Sequence, residues 1–465
     1  MSDPATTPSA SKLSTRIRHK PLMTMPQILL MNLGFFGIQY SFGMQQTAIN
    51  PIYTMLGASH DELPLLNMAG PITGLLIQPL IGAMSDRTWV DKGFFRGRRR
   101  PFFLIGALGC AVCLFLFPFV WAVWMAVLLL WLLDASNNTA MEPYRAFIAD
   151  KLPPSQLGKG FLAQSFFTGL GITLANLSLT FFQMLFGLGE GVGLPHWVYG
   201  AFFVGSVASI ATILVSVIST PELEPTKEEI AALRAKKGGP REFFGEIKDA
   251  IIDMPVQMRK LALVYFFQWY AMNVYWQYVS LSVSQSLYGS TTGEAYERAV
   301  ANTGTINAVY NIVTFSVAFA LVAAARRLGA KWVHALCLWC ATVGLFFLPL
   351  APTLPLKWLA IVGLGIAWAS IMGVPYIMIV RMVPSSRYGV YMGIVNMMIV
   401  IPQLIQTLTF GSVYKNLLGD NPNNAMWFAG AFLAIAGLVM LWIKEPPTVR
   451  DVDEVGDPAV VGGSH

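Results

Sequence analysis

The sequence predicts an all-α polytopic membrane protein with twelve transmembrane helices in two six-helix bundles. Three observations predict it. Hydrophobic residues make up 55% of the 465 and charged residues only 12%, where an ordinary soluble domain carries about 25% charged residues. Apolar stretches of bilayer-spanning length recur along the whole chain. Lys and Arg collect on alternate connections: with both termini cytoplasmic, all but four of the 31 basic residues fall on that side, as the positive-inside rule requires.

The elements follow in order. Residues 1–25 form a polar, basic cytoplasmic tail with Lys12, Arg16, Arg18 and Lys20. It has no apolar core and no small-residue cleavage site, so no secretory signal is expected and the first span directs insertion. The first bundle occupies 26–219, with spans at 26–49, 61–84, 101–119, 121–149, 157–187 and 196–219. Pro118 and Trp121 divide the long apolar run 101–149 into two. Residues 220–258 are the only long hydrophilic stretch and form a cytoplasmic central loop. Within it Thr226-Lys-Glu-Glu229 reads as a capping box that opens a short helix. Arg241 to Ile252 places Phe243, Phe244, Ile247 and Ile251 on one side, which suits either an interfacial helix or a partly ordered linker. The second bundle occupies 259–443, with spans at 259–287, 299–325, 331–351, 355–381, 387–413 and 424–443, and 444–465 is a cytoplasmic tail. Weak repetition relates the halves. Pro143-Tyr144 and Pro154-Ser-Gln-Leu-Gly-Lys-Gly160 correspond to Pro375-Tyr376 and Pro384-Ser-Ser-Arg-Tyr-Gly389, and a Cys-x-x-Cys pair falls in the third span of each half.

Several classes are excluded. The net charge of +6 follows from topology, so no nucleic-acid partner is needed. Cys110-x-x-Cys113 and Cys337-x-x-Cys340 have metal-site spacing. Thiolates inside lipid-embedded helices are unfavourable, however, and the pairs read as small packing residues. No metal site and no cofactor are expected. There is no G-x-x-x-x-G-K-[ST], no H-E-x-x-H and no G-x-S-x-G, and the five His are scattered. Neither ATP drive nor catalytic residues are supported, and the chain is not read as an enzyme. Asn137-Asn-Thr139 and Asn176-Leu-Ser178 look like glycosylation sequons but lie within spans.

The fourth span carries Asp134, Glu142 and Arg145 at membrane depth. Each such group costs roughly 2.5–3.5 kcal/mol at the bilayer centre, so all three must face one another or a water-filled path. Asp134 and Arg145 share one helix face, offset by roughly 16 Å along the axis, with Asn138 between them. Glu142 lies three residues before Arg145, in pairing range, and Pro143 removes a backbone hydrogen bond nearby. Two readings of Asp134 remain. It takes and releases a proton that drives a solute, or it forms a permanent buried ion pair with Arg145 that fixes helix packing. The corresponding positions of the second half, near Ile366 and Ile377, carry no charge.

The connection between spans two and three reads Gly82-Ala-Met-Ser-Asp86-Arg87, then Gly97 followed by Arg98, Arg99 and Arg100. Small residues permit close helix approach and the charges can bond helix ends, which suits a cytoplasmic gate. A plain topology signal explains the Arg run equally well, though not Asp86 beside Arg87. Span seven places Trp269, Asn273, Trp276 and Gln277 along one face. Span one offers Gln39, Tyr40, Gln45 and Gln46, and span eleven offers Asn396, Gln403 and Gln406. Indole faces beside amides suit an uncharged polyol, while the same residues also serve as glue between helices. A facilitator or exporter of another small neutral solute, or a sensor without transport, are the rival readings.

At these residues the chain resembles the glycoside–pentoside–hexuronide:cation symporters of the major facilitator superfamily, in the sucrose-carrier branch. The resemblance rests on Gly70-Pro71, Gln78-Pro79, Gly82, Ser85-Asp-Arg87 and Gly97 to Pro101. It rests also on Leu133-Asp134, Asn137-Asn138, Pro143, Arg145-Ala146 and Ala149-Asp150, and on Gly393, Asn396 and Ile399 to Gln403. In span one Gly37, Gln39, Gln45 and Pro51 also fit. It implies a major facilitator fold, alternating access and proton-coupled disaccharide import, with sucrose or maltose as the leading substrates. It implies that Asp134 binds proton and sugar and that Arg145 is its essential partner. Glu142 stands where plant members carry glycine. Sodium-coupled members carry acidic residues in span two, and this chain has none there before Asp86, which favours protons. The expected setting is a plasma membrane, the inner one in a bacterium, with the protein acting as a monomer in the lipid bilayer.

Overall fold

The computed structural model describes residues 20–153, 156–187, 193–224, 252–382 and 388–444. Both short helices expected in the central loop, and most of residues 444–465, lie outside the described residues. The chain is all-helical, and its helices pair up as twelve spans. Span one is α1 (Met25–Asn32) and α2 (Gly34–Met55); span two is α3 (Leu63–Leu66) and α4 (Ala69–Arg87). Spans three to six are α5 (Arg100–Leu116), α6 (Val123–Lys151), α7 (Leu157–Phe186) and α8 (His196–Ser219). Spans seven to twelve are α9 (Val256–Tyr288), α10 (Gly293–Leu328), α11 (Ala330–Phe347), α12 (Leu354–Met382), α13 (Tyr388–Asn416) and α14 (Pro422–Met440). Within the first half α2 packs on α7 and α8, and α5 on α6 and α8; within the second, α9 packs on α14 and α13, and α11 and α10 on α12. These are two six-helix bundles.

Among the described residues, eight spans are long and apolar enough to cross a membrane on hydropathy alone. The four that fall short are spans one, four, seven and eight. Their polar residues face inward rather than toward lipid: Asp134 in α6, Gln277 in α9 and Asn307 in α10 are all buried. Polarity concentrated on the interior faces of a few spans is how a bilayer protein builds an aqueous path.

Two local features have simple physical causes. Span one breaks at Leu33, and the freed backbone groups are taken up by Tyr144 of α6. Its hydroxyl donates to the Met31 carbonyl and accepts from the Gly34 N–H at 3.1 Å. A Cβ at Gly34 would lie 2.7 Å from that tyrosine, so only glycine fits. Span three begins under a carboxylate from another segment. Glu222 accepts the backbone N–H groups of Arg98, Arg99 and Arg100 at 2.8, 2.9 and 2.8 Å, capping the orphan donors and complementing the dipole of α5. Gly97 sits at φ +142° against Glu222, a conformation that favours glycine.

Among the described residues most Lys and Arg fall at the helix ends on one face of the molecule, where α1 begins and α14 ends. Arg99 Nε donates to Asp150 at 3.0 Å and its guanidinium reaches Ser85 Oγ at 2.6 Å. Arg98 Nε donates to the Ser85 carbonyl at 3.2 Å, and Arg100 to the Thr220 carbonyl at 3.1 Å. The expected gate residues Arg98, Arg99 and Arg100 thus tie the ends of α4, α6 and α8 to the start of α5, all inside the first bundle. Gly82 lies against Glu142. The side chains of Asp86 and Arg87 lie outside the described residues.

The two bundles meet at the opposite face. Tyr278 donates to the His60 carbonyl at 2.8 Å, Lys415 approaches Asp61 at 3.4 Å, and Gly411 rests on the Asp61 backbone. Partial burial opposes ionisation of Asp61, but hydrogen bonds from Ser59 and its own backbone, together with Lys415, outweigh it and hold the carboxyl below the usual carboxylate range. Asp61 therefore stays ionised across physiological pH. Deeper in, Gln183 donates to the Glu297 carbonyl at 2.7 Å, Thr180 to the Ala301 carbonyl at 2.9 Å, and Asn307 to Thr47 at 3.0 Å.

Two outcomes follow from this packing. Replacing Glu222 by Ala strips the cap of α5, a loss of about 0.5–2 kcal/mol, and is expected to lower the apparent unfolding temperature in detergent by about 2–4 °C per kcal/mol; an unchanged temperature contradicts the capping role. Gly304→Val places a Cβ 2.5 Å from the Asn176 carbonyl and is expected to push α10 off α7. Cross-linking between cysteines placed at Thr180 and Ala301 should then fall severalfold, and an undiminished yield contradicts the close approach.

Candidate functional site

A cavity of about 260 Å³ lies between the bundles, walled by α2, the α3–α4 segment, α6, α9 and α13. That is close to the lower bound for small-molecule sites, about 300–1,000 Å³, and admits one small solute. Ten of its twenty wall residues are amides: Gln45, Gln46, Asn50, Asn67, Gln78, Asn138, Asn273, Gln277, Asn396 and Gln403. Trp276 and Phe42 add aromatic surface, and Asp134 is the one ionisable residue among the described walls. Walls of this kind offer hydrogen bonds in many directions and no net charge beyond one carboxyl, which matches a neutral solute rich in hydroxyls.

Asp134 stands on the face of α6 turned to the cavity and is only 4% exposed. Thr73 of α4 donates its hydroxyl to Oδ2, and Asn138, one turn along α6, donates Nδ2 to the same oxygen at 2.9 Å. Asn138 also reaches Thr73 Oγ1 at 3.2 Å, and Gln78 donates to Asn138 Oδ1 at 2.7 Å. Gln45 of α2 faces the same carboxyl. Among the described residues no Lys or Arg pairs with Asp134. The carboxyl is therefore held by neutral donors alone, which can serve either protonation state with a small reorientation.

The buried ion pair between Asp134 and Arg145 does not form. α6 runs unbroken through Pro143, so the three-turn offset persists. Arg145 instead points into the gap between bundles, 47% exposed, 3.8 Å from Glu142 and within electrostatic reach of Tyr376 of α12. Glu142 is the partner of Arg145, as the i,i+3 spacing suggests. The fourth span thus holds two separate sites, a lone carboxyl at the cavity and a cation–carboxylate pair nearer the basic face.

Of the expected solute contacts, Gln45, Asn138, Asn273, Trp276, Gln277, Asn396 and Gln403 line the cavity, and Gln46 joins them. Three do not. Tyr40 turns toward α8, donating to the Ala201 carbonyl at 3.2 Å. Gln39 lies behind the wall, its Nε2 4.0 Å from Met141 Sδ. Trp269 is buried against Trp276 and Trp368, at centroid distances of 6.5 and 5.6 Å. For Tyr40 the reason is angular, since it lies about 160° round α2 from Phe42. Gln39, seven residues before Gln46, shares the inward face and lies about two turns further along the axis, beside Met141. Sequence reasoning missed Thr73, Asn67 and Asn50, and did not use Gln78 as a wall residue. Their signal is the 3–4 spacing of Asn67, Gly70-Pro71, Gly74 and Gln78, a stripe of amides and small residues along span two. Cys110, by contrast, is buried with its thiol 3.0 Å from Asn137 Oδ1, and all four cysteines are free. Among the described residues no group of three or more His, Cys, Asp or Glu is placed to hold a metal.

Comparison with known proteins agrees with this architecture. The Major Facilitator Superfamily profile matches residues 31–407 and again 261–461. A rice protein, sucrose transport protein SUT5 of Oryza sativa subsp. indica, is 26% identical over 92% of this chain and 88% of its own length. Sucrose transport protein SUC4 of Arabidopsis thaliana is 24% identical over 96% of this chain and 94% of its own length. Among solved structures, a D323A mutant of the nucleoside transporter NupG superposes with a TM-score of 0.70 at 13% identity, covering 91% of this chain and all of that one, a likeness of fold alone. With twelve spans in two bundles around a central polar cavity, the chain is a multi-pass integral membrane protein that belongs to the Major Facilitator Superfamily and is a distant relative of the plant sucrose transporters.

Proposed function

We propose that this protein is a proton-coupled symporter that imports a disaccharide, sucrose or maltose, by alternating access. The observation that carries the reading is Asp134: one carboxyl, opposite a wall of amides and an indole, held without a cation. A proton on Asp134 removes the charge and frees the cavity to close around a neutral sugar. Loss of that proton to the other aqueous phase restores the charge and favours release. On this reading the sugar contacts are Gln45, Asn138, Asn273, Gln277, Asn396 and Gln403, with Trp276 as the apolar platform for a pyranose or furanose face. Arg145 and Glu142 form a separate pair nearer the basic face, where Glu142 holds the guanidinium in place.

The two rigid bodies are residues 26–219 and 259–443, joined by a cytoplasmic loop at 220–258. The basic face is cytoplasmic by the positive-inside rule, so the tails at 1–25 and 444–465 are cytoplasmic and the membrane is the plasma membrane, the inner one in a bacterium. The clasp of Arg98, Arg99 and Arg100 holds one bundle together as it moves, and the contacts from Asp61, Tyr278 and Lys415 close the external side. Kinship with sucrose transport proteins of rice and Arabidopsis supports a sugar as solute. Moving one charge inward across about 100 mV is worth roughly 2.3 kcal/mol. At about 1.4 kcal/mol per tenfold, that sustains roughly 40-fold accumulation without any pH gradient.

Purified protein in liposomes tests the reading. Radiolabelled sucrose and maltose are expected to accumulate when the interior is made alkaline, and a protonophore should abolish accumulation. Asp134→Asn is expected to lose concentrative uptake while keeping exchange of internal for external sugar; full concentrative uptake by that variant excludes Asp134 as the coupling group. Trp276→Ala is expected to raise KM about tenfold, the loss of roughly 1–2 kcal/mol of aromatic contact, with the accumulation ratio at saturation unchanged. A variant with the original KM removes the indole from the sugar site.

A further inference from the structure

We propose that Gln406 is a positioning residue that forces Asn273 and Gln277 to present opposite hydrogen-bonding groups to the cavity, an acceptor beside a donor, and so selects solutes with neighbouring hydroxyls. This rests on the function proposed above and narrows its substrate class to vicinal diols.

Gln406 lies on α13, is fully buried and is not a wall residue. Its Oε1 accepts from Asn273 Nδ2 at 2.7 Å, and its Nε2 donates to Gln277 Oε1 at 2.8 Å. A longer approach of 3.5 Å joins Gln277 Nε2 to Gln406 Oε1. Asn273 and Gln277 both line the cavity and stand one turn apart on α9, so their amides lie side by side, with Cβ atoms about 5–6 Å apart. Asn273 spends an N–H on Gln406, which leaves its carbonyl oxygen for a solute. Gln277 spends its carbonyl on the shorter bond and one N–H on the longer approach, which leaves its second N–H for a solute.

The opposition holds whichever way the amides are drawn. Turning all three over exchanges the roles of Asn273 and Gln277 and leaves them opposite. A primary amide has one carbonyl side and one N–H side, so two partners bound to the two sides of Gln406 must differ from each other. A hydroxyl both donates and accepts, and two hydroxyls on adjacent carbons satisfy such a pair together. A solute offering only acceptors leaves one cavity group unmatched, at a cost typical of an unpaired polar atom.

The test uses Gln406→Glu, Gln406→Met and, as a control on the same helix seam, Thr409→Val, which removes the hydrogen bond between Tyr270 and Thr409 (2.9 Å) without touching a wall residue. An ionised carboxylate in place of the Gln406 amide only accepts, so both neighbours must donate to it and both then show carbonyls to the cavity. In liposomes, Gln406→Glu is expected to raise KM for the transported sugar about tenfold, with maximal rate within about twofold and the accumulation ratio preserved. Gln406→Met, which imposes no polarity, is expected to raise KM less, and it carries the test if the buried carboxylate prevents folding. Thr409→Val is expected to leave KM unchanged. A sugar lacking one hydroxyl of the contacted pair should lose affinity for the unaltered protein and lose less for Gln406→Glu, as coupled groups do. Unchanged KM in both Gln406 variants, or an equal rise in Thr409→Val, overturns the positioning role and leaves the symport reading standing. If the unaltered protein takes up no sugar at all, the symport reading fails first and this one with it.

Discussion

The arrangement depends on a buried carboxyl, Asp134, with no cation beside it among the described residues. An ionised side chain at the bilayer centre costs roughly 2.5–3.5 kcal/mol even on the mildest scale, and Asp134 meets the cost with neutral donors from two helices, Thr73 on α4 and Asn138 on α6. Other parts of the fold serve this group. Span four is polar because it must present Asp134 and Asn138. Span two carries its stripe of amides and small residues opposite them. The cavity exists where the two bundles leave these faces uncovered. A permanent ion pair would have satisfied the carboxyl more simply and would have silenced it, since a neighbouring guanidinium favours the charged form at every physiological pH.

The two bundles divide the work unequally. The first supplies the acid, the pair formed by Arg145 and Glu142, and the clasp of arginines at the basic face. The second supplies Trp276 and the amides of α9 and α13, with Gln406 behind them. The two halves share weak sequence repeats, and the positions near Ile366 and Ile377 that correspond to Asp134 and Arg145 carry no charge. The polar bridges between bundles, from Thr47 and Asn307 out to Asp61 and Lys415, are hydrogen bonds and an exposed ion pair, set beside the close packing of α7 on α10 at Gly304 and Phe315. Polar contacts of this kind are individually worth about 1 kcal/mol or less. An interface closed by such contacts can open, as any rocking mechanism needs.

Much of the fold was legible in the sequence because a bilayer leaves few options: apolar runs of spanning length and a one-sided distribution of Lys and Arg suffice to place twelve helices. Asp134 and Arg145 were legible for the same reason, since charge at that depth is expensive and therefore conspicuous. Depth along a helix and direction around it were harder to read. Gln39 and Tyr40 sit one turn or so from Gln45 in sequence yet face Met141 and Ala201 instead of the cavity, and Trp269 packs behind Trp276. Whether α6 bent enough at Pro143 to join Asp134 to Arg145 also needed coordinates. Thr73 escaped because a hydroxyl in a span is ordinary, and Gln406, expected at the solute, stands behind the wall and meets Asn273 and Gln277 instead.

The central claim is that sugar and proton enter together through Asp134. The most direct measurement is the pH of a lightly buffered medium outside de-energised proteoliposomes as external sucrose or maltose is added. The account predicts a transient external alkalinisation with the unaltered protein, abolished by a protonophore, and none with Asp134→Asn. Sugar entry without alkalinisation in the unaltered protein, or alkalinisation of full size in the variant, would contradict it.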